Sequence, residues 1–249
     1  MRILFISDLH LKESDAATTA RFRTFMRESA RGADQLYVMG DLFHAWLGDA
    51  QLAYDEYARS IVAEFAQLNQ GKTKIFFIHG NRDFMLGAQF AQACGGEMWP
   101  EQNIIQLGNE RALILHGDEL CTDDVRYQRA RRILRSRAFK AFGNRLPQWV
   151  RREIAARLRR ASKAHKAGSA LMLLDANRDA INATFARHDV QLMIHGHTHR
   201  PTDETRTVNG RSLRRIVLSD WQQDFGYLEW IDGEFFVRPW ASTPVSASA

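Results

Sequence analysis

Five short apolar runs, each closing on polar residues, punctuate the chain up to residue 199: RILFISDLH, QLYVMGDLF, KIFFIHGNRD, RALILHGDEL and LMIHGHTH. An apolar run of this length that ends in turn-forming residues reads as a buried strand followed by a loop. Between the runs lie helix-like stretches, clearest at Ala16 to Ala30, Leu52 to Leu68 and Leu86 to Ala93. Strand and helix therefore alternate through the first half, which is the pattern of an α/β layered core. Ligands in such sheets collect at the carboxyl ends of the strands, and the acids, histidines and asparagine of the five runs fall there. Beyond residue 200 the pattern turns to β-like segments, RRIVLSDW, FGYLEW and EFFVRPW, with an Asp232–Gly233 turn between the last two.

Residues 123 to 167 break the alternation. Ile133, Leu134, Ala138, Phe142 and Leu146, then Val150, Ile154, Leu158 and Ala161, recur at helical spacing while arginines fill the other faces. The spacing predicts two basic amphipathic helices joined near Gly143 to Pro147. The organisation expected is a core of residues 1–122 and 168–240, a basic helical cap of residues 123–167, and a disordered small-residue tail, 241–249.

Charge sharpens the picture of that insertion. The chain carries a net charge of +5, but residues 126 to 166 hold fifteen Lys and Arg against one acid, Glu153, which leaves 19 basic and 28 acidic residues elsewhere. So lopsided a segment needs an anionic partner to offset its self-repulsion. Few aromatics are interleaved for base stacking, so no nucleic acid is expected. Phe142 and Trp149 beside the apolar stripe suit an anionic membrane surface instead. Composition excludes little else: 45% hydrophobic and 25% charged residues over 249 positions describe a soluble globular enzyme-sized chain. No run approaches the roughly 20 apolar residues of a membrane span, and the opening apolar stretch is too short for a signal-peptide core. The two cysteines, Cys94 and Cys121, lie far apart without metal-type spacing, which suits a reducing compartment. The expected location is cytoplasmic, peripherally held at the cytoplasmic face of the inner membrane, and the expected state is a monomer.

The candidate chemistry sits at the strand ends. Asp8 and His10 flank one leucine and make a half-site for a divalent metal. Asp41 can bridge two cations with its two oxygens, Asn81 offers a neutral amide oxygen, and His116, His197 and His199 add imidazoles from two later strands. Each signal is weak alone, since a lone Asp–x–His or His–Gly is commonly structural. Five strand ends in order, all bearing ligand-type residues, point together to a metal site. Oxygen and nitrogen donors without thiolate suit manganese, iron or zinc in an open catalytic geometry, and seven ligands exceed what one ion needs. Two ions with a bridging carboxylate and hydroxide serve in-line displacement at phosphorus. His195, at the end of the strand itself, reads as a histidine that orients its neighbours.

DLH, GDLF, GNRD, HGD and GHTH, in this order, resemble the calcineurin-like metallophosphoesterase signature, spanning residues 8 to 199. The resemblance implies an α/β fold, a two-sheet sandwich flanked by helices with the helical cap inserted. It assigns Asp8, His10, Asp41 and His199 to one ion and Asp41, Asn81, His116 and His197 to the other, with Asp41 as the bridge; two Mn2+ per chain are expected. Where the wider superfamily continues Gly–Asn–His–Asp, this chain has Arg82, which grips phosphate oxygens with a planar fork and cannot act as a general acid near neutral pH. A surface salt bridge to Asp83 is the alternative role for Arg82. GNRDF, HGDELCTDD, RREIAARLRRASK, LLDAN and IHGHTHRP resemble a narrower family, the UDP-2,3-diacylglucosamine pyrophosphohydrolases of lipid A synthesis, in which the insertion caps the acyl chains. That resemblance places substrate contacts at Asn81, Arg82, Asp124, Ser162 and His197. It sets Lys166 where the family has asparagine and Ser169 where it has lysine. Asp41, Asn81 and Arg82 are the expected catalytic residues. The expected reaction splits UDP-2,3-diacylglucosamine into 2,3-diacylglucosamine 1-phosphate and UMP, with attack at the uridine-side phosphorus. A broader phosphodiesterase or nuclease gripping a strand with the cap, and a lipid-binding protein with structural metals, are the competing readings.

Overall fold

The computed structural model describes residues 1–147, 149–151, 153, 154, 157, 160, 175–222 and 226–239. Each of the five apolar runs forms a strand: β1 (Arg2–Ile6), β2 (Gln35–Met39), β3 (Lys74–Ile78), β6 (Glu110–Leu115) and β7 (Leu192–His195). Strands buried on both faces need apolar residues at every position rather than alternate ones, which is why these runs are continuous. The later β-like segments form β9 (Arg211–Val217), β10 (Tyr227–Ile231) and β11 (Glu234–Arg238). Asp232 and Gly233, both at positive φ (47° and 107°), turn the last pair.

Three strands escape the apolar-run pattern: β4 (Glu97–Met98), β5 (Gln102–Leu107) and β8 (Thr202–Val208). All lie at sheet edges, where one or no face is covered and the sequence stays polar. Among the described residues one sheet runs β11-β10-β1-β2-β3-β4 and the other β5-β6-β7-β9-β8. β1, β2 and β3 are mutually parallel, as are β6, β7 and β9.

The sheets pack face to face over Ile3, Phe5, Met39 and Ile78 from one and Ile105, Ile114, Ile194 and Ile216 from the other. Opposite faces take helices. Leu4, Ile6, Val38 and Phe77 pack against α1 (Ala16–Thr24), α2 (Glu56–Gln70) and α3 (Ala88–Ala93) through Phe22, Phe65 and Phe90. Leu113, Leu115 and Met193 pack against Ile181 and Phe185, which lie on α6 (Arg178–His188). The layers match the α/β sandwich expected. The stretch read as one helix over Ala16 to Ala30 is α-helical only to Thr24 and then widens into a π-helical turn, Phe25–Ser29.

Within the insertion, the expected first helix is two: α4 (Val125–Leu134) and α5 (Arg137–Arg145). Ser136 ends the first and caps the second, its Oγ accepting from Phe139 N at 3.2 Å. The described residues between 149 and 160 are helical. Ser162, Lys166 and Ser169, and the tail 241–249, lie outside the described residues.

Candidate metal centre

The carboxyl ends of β1, β2, β3, β6 and β7 deliver the seven expected ligand residues to one edge of the sandwich. Asp8 Oδ1 lies 3.2 Å from His199 Nε2 and 4.0 Å from His10 Nε2, and the two imidazole nitrogens are 3.3 Å apart. Asp41 sits between two halves: its Oδ2 is 3.7 Å from His10 Nδ1, and its Oδ1 is 3.7 Å from His116 Nε2. Asn81 Oδ1 lies 3.2 Å from His116 Nε2, and the His197 ring stands edge-on to His116 with centroids 5.1 Å apart.

The backbone needed to gather these side chains is unusual. Asp8, His10, Asp41, His197 and His199 all adopt positive φ, between 52° and 69°. Residues other than glycine avoid this region, Asp and His least, and such conformations persist where the surroundings over-determine them. Here the β1 and β2 loops are laced together by Asp8 N to Gly40 O (3.0 Å), His10 N to Asp41 O (2.9 Å) and Leu11 N to Leu42 O (2.9 Å). Glycine permits the remaining close approaches. A Cβ on Gly80 would collide with the Asp41 carboxylate, and one on Gly196 with Ser7 and the Asp8 carboxylate, so the glycines of HGN and HGH are steric requirements of the site.

Asp8 and Asp41 are almost wholly buried, and they feel opposite environments. Burial alone would raise the Asp8 carboxyl, but the His199 hydrogen bond and the fields of His116, His199 and His10 hold it far below the usual carboxylate range. Burial wins at Asp41 and lifts its carboxyl, with the Asp8 charge adding to the rise against the pull of His116. Burial beside Arg215 presses the His195 imidazole down to about 3. His195 faces away from the ligands: its Nδ1 meets Gly196 O at 2.8 Å, and Arg215 Nε donates to its Nε2 at 2.9 Å.

A model of the calcineurin-like phosphoesterases matches residues 1–201. This chain belongs to the calcineurin-like phosphoesterase family. Within it the chain groups with the UDP-2,3-diacylglucosamine hydrolases. It is 40% identical over 229 residues to the protein of that name from Pseudomonas paraeruginosa, across 92% of this chain and 95% of the relative. It is also 40% identical over 224 residues to one from Escherichia coli, across 90% and 92%. Among solved structures, the Escherichia coli phosphoesterase Yfce aligns with 95% of this chain and 92% of its own at 16% identity and a TM-score of 0.47.

Calcineurin-like phosphoesterases use divalent metal, and the residues of this member fit one. Ligand atoms of Asp8, His10 and His199, and of Asp8, Asp41 and His116, lie within 4.8 Å of one another. His10 Nδ1 is buried without a hydrogen-bond partner, and two buried carboxylates close together call for cationic charge.

Arg82 points into this member's centre rather than to Asp83: its Nε is 3.5 Å from Asp41 Oδ2, and its Nη1 lies 3.3 Å from His44 Nδ1. Asp83 is fully buried and accepts from Gly80 N (2.7 Å), Leu42 N (2.8 Å) and Asp41 N (3.3 Å), so it clamps the β2 and β3 loops together. Asp124 caps α4, accepting from Tyr127 N at 2.8 Å. Sequence reasoning missed Ser7, whose Oγ donates to Asp8 Oδ2 at 2.7 Å, and Asp220, 2.9 Å from His199 Nδ1. Asp220 carries the same mark as the other site residues, an acid after an apolar strand in IVLSDW, while Ser7 has no such mark.

Proposed function

We propose that this chain hydrolyses the pyrophosphate of UDP-2,3-diacylglucosamine to 2,3-diacylglucosamine 1-phosphate and UMP with two Mn2+ ions per chain. The observation that carries the reading is Asp41, which offers one oxygen to the His10 side and the other to the His116 side at 3.7 Å each. On this reading Asp8, His10, Asp41 and His199 hold one ion, and Asp41, Asn81, His116 and His197 the other. When bound, such a pair supplies an acidified water and neutralises charge on the phosphoryl group.

The chain's own residues do the rest. Water enters at the uridine-side phosphorus, and the bond to the bridging oxygen breaks, leaving on the acylated sugar phosphate. Arg82, beside Asp41, presents a planar fork that gathers the phosphoryl oxygens and holds its charge throughout, so it stabilises the transition state without supplying a proton. Asn81 and His197 add donors on the same side. One chain supplies the whole ligand set, so a monomer suffices. Asp124, Ser162, Lys166 and Ser169 complete the substrate contacts, and the cap of residues 123–167 covers the acyl chains.

The insertion also supports a peripheral position on the cytoplasmic face of the inner membrane. Phe142 and Trp149 are 61% and 74% exposed on a segment dense in arginine, as an interfacial amphipathic helix requires. No described helix is long and apolar enough to cross a membrane.

The test offers the purified chain the glycolipid in mixed micelles, single-stranded DNA and cyclic nucleotides, with Mn2+ and with chelator. UMP and the acylated sugar phosphate should form only with metal, with solvent 18O appearing in UMP. Asp41→Ala, His197→Ala and His199→Ala should each abolish turnover, and His195→Ala should only weaken it. Preference for DNA removes the glycolipid assignment, and undiminished turnover in Asp41→Ala removes the shared-carboxylate mechanism.

A further inference from the structure

The histidines of the centre are not held alike. His116 Nδ1 lies 2.9 Å from a neutral acceptor, the Met39 carbonyl. His10 Nδ1 is buried without a hydrogen-bond partner. His199 Nδ1 lies 2.9 Å from a full carboxylate, Asp220 Oδ2, while its Nε2 faces Asp8 Oδ1 and His10 Nε2 at 3.2 and 3.3 Å. The two nitrogens of an imidazole point to opposite sides of the ring, so Asp220 stands behind His199 as seen from the centre.

Asp220 is brought there by a segment tied to the core on both sides of it. It lies beyond residue 201, where the family match ends, in the turn that follows β9. Leu218 N donates to His195 O at 2.7 Å, and Trp221 N to Asp8 O at 3.4 Å. Trp221 is buried against Phe22 and Phe25, and Arg21 donates to its carbonyl. Asp220 itself is 6% exposed. Its Oδ2 is thereby held against the Nδ1 side of His199.

We propose that Asp220 is a positioning residue for one half of the centre: its Oδ2 accepts a hydrogen bond from the Nδ1–H of His199, which keeps the proton on Nδ1, leaves Nε2 bare toward the ion, and makes that imidazole the more basic donor. A carboxylate behind a ligating histidine fixes its tautomer and ring orientation and typically accounts for 10- to 100-fold in metal affinity. The effect belongs to the ion held by Asp8, His10, Asp41 and His199. It does not extend to the ion on the His116 side, whose histidine rests on a backbone carbonyl. The proposal rests on the dinuclear reading of the preceding section.

The experiment titrates metal-free full-length protein with Mn2+ against a fluorescent chelator, for the wild type, Asp220→Asn and Asp220→Ala, with apo melting temperature as the control for folding. The wild type should take up two ions. Asp220→Ala should keep one of them unchanged and hold the other about 10- to 100-fold more weakly, with the apo melt preserved. Asp220→Asn, which keeps an acceptor oxygen without the charge, should fall between. In the Zn2+-loaded protein the wild type should show a downfield His199 Nδ1–H proton resonance that Asp220→Ala loses. Two ions bound within about twofold of wild type in Asp220→Ala overturn the proposal, as does equal weakening of both together with a lowered apo melt. A wild-type chain that takes up no Mn2+ overturns the dinuclear reading, and this proposal with it.

Discussion

A buried neutral imidazole links stability to pH, and His195 is placed to show it. Burial beside Arg215 holds its pKa at about 3, against an ordinary value of 6.5. Between those values the unfolded chain binds a proton that the folded chain refuses, so this contribution is complete above pH 6.5 and is lost as pH falls toward 3. Urea unfolding of metal-free protein at pH 7.5, 6 and 5 should show the wild type losing stability faster than His195→Gln, by up to about 1.4 kcal/mol per pH unit. Parallel pH dependences for the two proteins would contradict this. At the same scale, the ligand residues were legible because they combine a donor type with a place after an apolar strand. Asp83 shows the limit: beside Arg82 in sequence it resembles a surface ion-pair partner, yet it is spent on backbone N–H groups from two loops. Which neighbour a carboxylate meets is decided here by the parallel pairing of β2 and β3, which sets their carboxyl-end loops side by side, not by adjacency to Arg82 in the chain.

The buried strands were readable from apolar runs, and β5 and β8 were not, for one reason. An edge strand such as TDETRTV owes its existence to pairing along β9 rather than to burial of its own side chains. The described part of residues 123–160 was readable as helical and basic, but not where it bends or how it is fastened. Its anchor is Asp118, fully buried after β6, which accepts from Tyr127 Oη, Arg131 Nε (2.8 Å) and Arg135 Nη2 (2.9 Å); Arg135 Nη1 also lies 2.8 Å from Glu101. Some of the many arginines are thus structural ties and others are open to solvent, a division that a count of charges cannot make. Arg135→Ala should leave a buried carboxylate short of a partner and cost about 3 kcal/mol in chemical denaturation. Arg132→Ala, on the exposed side of α4, should change stability by less than about 0.5 kcal/mol. Equal costs would show that the Asp118 cluster does not fasten the insertion.

Across the whole molecule charge is segregated, with a strongly cationic insertion on a core of net negative charge. Attraction of that insertion to an anionic bilayer acts over a Debye length, about 10 Å at 0.1 M salt and 3 Å at 1 M. Flotation with vesicles containing anionic phospholipid should therefore be strong at low salt and largely lost near 1 M, and neutral vesicles should carry little protein. Flotation indifferent to lipid charge would leave the arginines a solvated surface. A second molecular property follows from the left-handed backbone at Asp8, His10, Asp41, His197 and His199. That geometry, together with two buried carboxylates, is a cost borne by the fold whether or not an ion is present, while ions bind only the folded form and repay it by mass action. Metal supply should then govern more than turnover: metal-free chain should unfold more readily and be cut faster by proteases than metal-loaded chain, so that scarcity of the ion lowers abundance as well as activity.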